Sequence, residues 1–151
     1  MKIRRLERSD YNQVSELMTE FAKQSNLKSL IKEDYDYEHV HQVLLRCEKA
    51  GISFVGQDND TIHGCILSIA MPDLWVPKTL FLREIAWYVR PEYRHTTLGA
   101  RLFASYKEAA KSVLESGRIM GFTISKLHNS PDFDYERRGF KFIEATYLIG
   151  E

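Results

Sequence analysis

The stretch VRPEYRHTTLGARL, residues 89–102, groups residues that could hold an anion. An apolar run meets Pro91, then a basic segment, then a small-residue turn, then helical periodicity. No acidic side chain stands between Arg94 and Arg101. A helix N-terminus leaves backbone N–H groups unpaired and carries partial positive charge. A turn of small residues lets a phosphate come close to those groups. Here Gly99 permits the approach, Arg94 adds a fixed charge, and Thr96 and Thr97 supply hydroxyls. The same residues also fit a plain capped helix, with Thr96 or Thr97 as N-cap and Gly99 incidental.

Other chemistry-bearing residues are sparse. Cys47 and Cys65 sit in apolar runs without a CxxC pair, so they read as buried free thiols. His39 and His41 stand two apart on a predicted helix, where side chains diverge, so no metal site is expected. The 151 residues are 44% hydrophobic and 28% charged, enough for one domain with a sizeable core. Lysine plus arginine balances aspartate plus glutamate at 21 each. Broad attraction to nucleic acid or to a membrane surface is therefore not expected. No apolar run reaches the length of a membrane span, and MKIRRLERSD lacks the apolar core of a signal peptide. A cytoplasmic location is the expectation.

The elements that must position the anion turn follow from periodicity. MKIRRLE alternates as a strand. Ser9-Asp10 can cap a helix carrying Val14, Leu17, Met18, Phe21 and Ala22 on one face. A second helix is predicted over residues 36–50, ended by Gly51. ISFVGQ and TIHGCILSIAMP read as strands joined by a polar turn. TLFLREIAWYV reads as a strand buried on both faces. Leu98, Leu102, Tyr106, Ala109 and Val113 make a helical stripe closed by Gly117. RIMGFTIS is a further strand, Asp132 to Arg138 a short helix, and FKFIEATYLI a final strand. The order β-α-α-β-β-β-α-β-α-β predicts a three-layer α/β (α+β) domain with helices packed on a mixed sheet.

Two segments carry a family resemblance. YVRPEYRHTTLGARL resembles the acetyl-CoA loop of the GNAT N-acetyltransferase superfamily, in which a strand ends V-x-P-x-x-[RQ]-x-x-G-x-[GA] and a helix follows. Val89, Pro91, Arg94 and Gly99 match in register, while Thr97 occupies the first signature glycine. DYERRGFKF, residues 134–142, is similar to the F-Y-E-K-L-G-F segment of the same superfamily through Tyr135, Glu136, Gly139 and Phe140. Together with the element order, the resemblance spans most of the chain.

The resemblance implies a single GNAT-like domain with a mixed, mostly antiparallel sheet and helices on both faces. It implies acetyl-CoA as co-substrate, without a metal, and an amine as acceptor. The pantetheine arm would bond to backbone around Tyr88, Val89 and Arg90. The pyrophosphate would rest on the turn formed by Arg94, His95, Thr96, Thr97, Leu98, Gly99 and Ala100. Tyr135 falls where the family often places a tyrosine that protonates the coenzyme A sulfur; its other reading is a packing tyrosine. A phenol suits the role because its pKa lies above that of a thiol. Glu84, inside the apolar FLREIAWYV, is the candidate general base, because burial raises a carboxyl pKa toward the useful range. It could instead pair with Arg83 or Arg118.

His128 and Asn129 follow the fifth predicted strand, and His128 reads as a surface-loop residue. KEDYDYEHV interleaves Glu33, Asp34, Asp36 and Glu38 with Tyr35 and Tyr37, which could attract a cationic amine. It equally fits a solvated loop with Asp36 as a helix cap. Eleven residues follow Phe140, enough for one strand. An edge left exposed there could be covered by a second copy, which makes a homodimer an expectation. Two functions follow: an N-acetyltransferase working through a ternary complex, or a non-catalytic module of the same fold that binds an acyl-CoA or a protein. Thr97 at the glycine position favours the second.

Overall fold

A computed structural model of the chain describes residues 1–25 and 35–149. The strands are β1 (Lys2–Arg5), β2 (Phe54–Asp58), β3 (Thr61–Pro72), β4 (Leu80–Val89) and β5 (Gly121–Thr123). The helices are α1 (Tyr11–Gln24), α2 (Tyr37–Ala50) and α3 (Leu98–Glu115). The sheet runs β1-β2-β3-β4-β5, antiparallel except for the parallel β4–β5 pair. This is the three-layer mixed α/β architecture that the element order predicts.

Each face of the sheet carries one apolar layer. α1 and α2 bring Val14, Leu17, Leu44 and Cys47 onto Cys65 and Leu67. α3 brings Leu98, Leu102, Tyr106 and Ala110 onto Ile66 and Leu82. Both cysteines are free and buried. α1 starts where expected, but Asp10 does not cap it with its own side chain. The Asp10 carboxylate is taken by Arg4, at 2.7 and 2.8 Å, and by the Glu7 amide, at 2.9 Å. This ties β1 to the start of α1.

One bulge decides the geometry that follows. In the β3–β4 ladder Leu67 faces Ala86 and Ser68 faces Glu84, so Ile85 has no partner. Side chains alternate faces along a strand, so Leu82 and Ala86, four apart, would share a face in a regular ladder. They lie instead in the α3 layer and the α1–α2 layer respectively. The extra residue switches the faces and re-aims the side chains beside it.

The C-terminal third departs from the sequence reading. The helix expected over Asp132 to Arg138 is a single 3-10 turn, Glu136–Arg138, ended by Gly139 at φ 87°. The Asp134 carboxylate accepts the Arg137 amide at 2.9 Å, which closes one turn locally. The strand expected over RIMGFTIS narrows to Gly121–Thr123, because β4 pairs with it only from Phe81 to Arg83. The final strand expected in FKFIEATYLI forms no ladder: residues 141–149 are exposed and carry no regular structure. Among the described residues no strand of the sheet pairs with that segment.

Candidate active site

The parallel pairing of β4 and β5 ends at Arg83 opposite Thr123, and beyond it the two chains separate. Glu84 stands at the start of the gap. It is only 8% exposed, and its Oε2 accepts the Ser125 amide at 2.9 Å. Burial pushes the Glu84 carboxyl up to about 7, against the pull of the Ser125 hydrogen bond. Neither arginine considered from sequence pairs with it; Arg118 Nε donates to Ser116 Oγ instead. A carboxyl that is buried, lacks a cation and titrates near neutrality suits proton transfer.

Tyr135 reaches the same region from the chain beyond β5. Its ring meets Phe133 edge-on at 5.1 Å and Phe140 at 6.3 Å. Burial raises the phenol pKa, and the Glu84 charge raises it further. The two groups are therefore electrostatic neighbours. The Tyr135 hydroxyl makes no hydrogen bond among the described residues, so its proton is uncommitted. Tyr106 also lies within reach of the Glu84 charge, but its hydroxyl is spent on Thr123 O at 3.0 Å.

The anion turn lies at the far end of β4. A 3-10 turn, Pro91–Tyr93, leads into it, and α3 opens at Leu98. Leu98 is buried against Gly56, where an added Cβ would lie 2.3 Å from Leu98 Cδ1, so β2 seats the helix start. The Arg94 and Thr96 amides bond to Pro91 O and Tyr93 O, and the Leu98 amide to Thr96 Oγ1. Among the described residues the amides of His95, Thr97, Gly99 and Ala100 donate to nothing. Four such donors around one turn could cradle an anion. Thr97, the N-cap residue, has φ −78° and ψ 1°, a conformation any residue adopts. Its β-branch imposes no strain there. Gly99 has room for a Cβ at ordinary contact distances, 3.8 Å from Val89 and 3.9 Å from Trp87. Packing within the protein therefore does not demand a glycine there.

Between cradle and carboxyl runs the free edge of β4. The Arg90 amide bonds to His63 O on β3 at 3.0 Å. Antiparallel alternation then turns the backbone of Val89 and Trp87 toward the gap, and that of Tyr88 and Arg90 toward β3. Arg94 does not point into the cradle. Its Nε donates to Val89 O at 2.9 Å and its Nη2 to Gln24 Oε1 at 2.8 Å. Gln24 Nε2 donates to Tyr88 Oη at 2.9 Å, and Gln24 O accepts from Asn129 Nδ2 at 3.2 Å. Arg90 holds Glu20, its Nη2 2.9 Å from Oε1. The last turn of α1 thus clasps β4, the cradle loop and the chain beyond β5. Glu20 and Gln24 were not expected from sequence; their spacing of four on the polar end of a helix was the only signal. His95 and His128 are exposed.

The acidic, tyrosine-rich stretch is used structurally where it is described. Asp36 caps α2 by accepting the His39 amide at 2.9 Å, and Tyr35 Oη donates to Ser15 O at 3.1 Å. Tyr37 and Glu38 line a cavity of about 460 Å³ with Arg8, Tyr11 and His41, at the end of α1 remote from Gln24. Glu33 and Asp34 lie outside the described residues. Among the described residues no group of His, Cys, Asp and Glu could hold a metal ion, and no helix is long and apolar enough to cross a membrane.

The sequence matches the acetyltransferase (GNAT) family over residues 11–140. A search of curated proteins finds no match. Among solved structures the fold is similar to a Trypanosoma brucei acetyltransferase at TM-score 0.68 and 20% identity, covering 99% of this chain and 98% of that one. It is similar to a predicted acetyltransferase from Clostridium acetobutylicum, solved with acetyl-CoA, at 0.70 and 10%, covering 99% and 95%. It is also similar to an aminoglycoside acetyltransferase from an uncultured soil metagenomic sample, in complex with sisomicin, at 0.62 and 14%, covering 99% and 96%.

Proposed function

The chain belongs to the GNAT acetyltransferase family, and from that premise we propose that it transfers an acetyl group from acetyl-CoA to a primary amine by direct attack in a ternary complex. The observation that supports the reading is a buried Glu84 carboxyl past the last β4–β5 pair, with Tyr135 close enough to feel its charge. One is a carboxyl raised to about 7 and the other a half-buried phenol whose hydroxyl has no partner among the described residues.

The residues present fit the co-substrate. The free amides of His95, Thr97, Gly99 and Ala100 would hold the pyrophosphate. The open backbone of Val89 and Trp87 would receive the pantetheine amides, once Arg94 Nε gives up Val89 O. Bound there, acetyl-CoA supplies an activated acyl group as a thioester. Glu84 takes the proton that the attacking amine must lose, directly or through a water. Tyr135 gives its phenolic proton to the departing sulfur, and Ser125 N–H keeps the Glu84 carboxylate oriented. The base and acid act on the two ends of the same exchange.

The alternative, a non-catalytic module, rested on Thr97. Thr97 has φ −78°, which a threonine adopts without needing glycine's freedom, and this favours the catalytic reading. The deciding experiment is a calorimetric titration with acetyl-CoA, followed by acetylation assays on polyamines, aminoglycosides and peptide amines. Binding without turnover on any amine would return the chain to the non-catalytic reading.

A further inference from the structure

The β2–β3 ladder holds a second bulge, and it lies beside the cradle. Gly56 faces Gly64 and Gln57 faces Ile62, so His63 has no partner on β2. On its other side His63 O accepts the Arg90 amide at 3.0 Å, directly after the last residue of β4. A bulge re-aims the side chain it carries. The His63 ring stacks on Tyr93, with centroids 4.0 Å apart and planes 20° from parallel.

Tyr93 is where the turn is tied together. Its amide donates to Arg90 O at 2.9 Å. Its carbonyl accepts the Thr96 amide at 3.1 Å and the Thr96 hydroxyl at 2.6 Å. Thr96 Oγ1 in turn accepts the Leu98 amide at 3.2 Å. The Tyr93 side chain also packs against the α3 layer. Hydrogen bonding at Nδ1 does not set the His63 ring: that nitrogen is buried and has no partner among the described residues. An unpaired buried nitrogen is a cost that the contact must outweigh. Burial, and then the Arg90 charge, lower the His63 pKa against the pull of Asp58 and Glu92, so the ring stacks in its neutral form.

We infer that His63 is a positioning residue for the cradle: its ring, re-aimed by the bulge, fixes Tyr93 and through it the Thr96–Leu98 turn on which the pyrophosphate of acetyl-CoA would rest. The identity of that ligand rests on the function proposed above. The coupling of His63 to the turn is a property of the free chain. A stacked pair of rings shifts an equilibrium by about two- to tenfold.

Hydrogen exchange and calorimetry on the full chain test this with three variants. His63→Ala removes the stack, His63→Phe keeps a ring without the unpaired nitrogen, and Tyr93→Leu removes the other partner. In free His63→Ala the Thr96 and Leu98 amides should exchange about two- to tenfold faster. The amides of β3, and of α3 beyond its first turn, should keep their wild-type rates. His63→Phe should restore both. The acetyl-CoA Kd should rise by a similar factor in His63→Ala and in Tyr93→Leu, and combining the two should add nothing further. Unchanged exchange at Thr96 and Leu98 in His63→Ala overturns the inference, as does a failure of His63→Phe to restore them. Faster exchange throughout β3 also overturns it, making His63 a packing residue of the sheet. An unchanged Kd with a loosened turn would cut the link to the ligand. If the wild type binds no acetyl-CoA, the proposed function fails, and exchange alone still decides whether His63 fixes the turn.

Discussion

The Glu84 carboxylate accepts the Ser125 amide at 2.9 Å, directly past the last β4–β5 pair, Arg83 with Thr123. A side chain thus takes an amide where the ladder would otherwise run on. Pairing of the two strands ends at that point, beside a buried carboxyl.

Replacing Glu84 by Gln tests the base. Turnover should fall by about 10² or more, and the rise of the rate with pH, half complete near 7 in the wild type, should disappear. A retained rise near 7 in Glu84→Gln would assign it to another group.

Glu84 also makes stability depend on pH. Its folded-state pKa lies above the ordinary carboxyl value of 4.5, so the folded protein binds more protons than the unfolded one in between. This contribution is present below 4.5 and is lost as pH rises through about 7. Thermal melts from pH 4.5 to 8 should show a decline that Glu84→Gln flattens; an unchanged profile would mean the carboxyl is not held in its neutral form.

Tyr135→Phe removes a hydroxyl that bonds to nothing among the described residues. Melting temperature and acetyl-CoA affinity should hold, while turnover falls by roughly 10². Full turnover in the variant rejects the acid role. A loss of affinity instead would make Tyr135 a binding residue.

At the cradle, Thr97→Gly should leave the acetyl-CoA Kd within about threefold of wild type, because a residue at φ −78° gains little from glycine's freedom. Gly99→Trp should abolish binding by filling the approach to the free amides. Calorimetry on both variants decides. A marked gain in Thr97→Gly would mean that the threonine side chain obstructs the ligand.

Gly51 tests the scaffold. A Cβ there would lie 1.8 Å from Ser68 O, a backbone atom that cannot swing away. Gly51→Ala should cost about 3 kcal/mol or more, near the upper end for overpacking. That corresponds to a fall of roughly 6–12 °C in Tm for a domain of this size. An unchanged melt would show that β3 can shift to make room.

Much of this molecule is written in local pattern. Leu98, Leu102 and Tyr106 recur at helical spacing, so α3 and its buried face were legible. The alternating and apolar runs located β3 and β4 to within one residue at either end. Pro91 and the small turn marked the start of α3, because helix starts are local events. The sequence could not reveal that Ile85 is a bulge, since a bulge is a mismatch between two strands and belongs to neither. It could not reveal that Ser125 N–H orients Glu84 from 41 positions away, or that Gln24 and Arg94, 70 apart, clasp α1 to the cradle loop. FKFIEATYLI reads as a strand from composition alone, yet a strand is completed only by an edge. The sequence by itself determined the elements and the residue types that could do chemistry. Only the tertiary structure decided which of them meet, because hydrogen-bond partners and burial are properties of chains brought together in space.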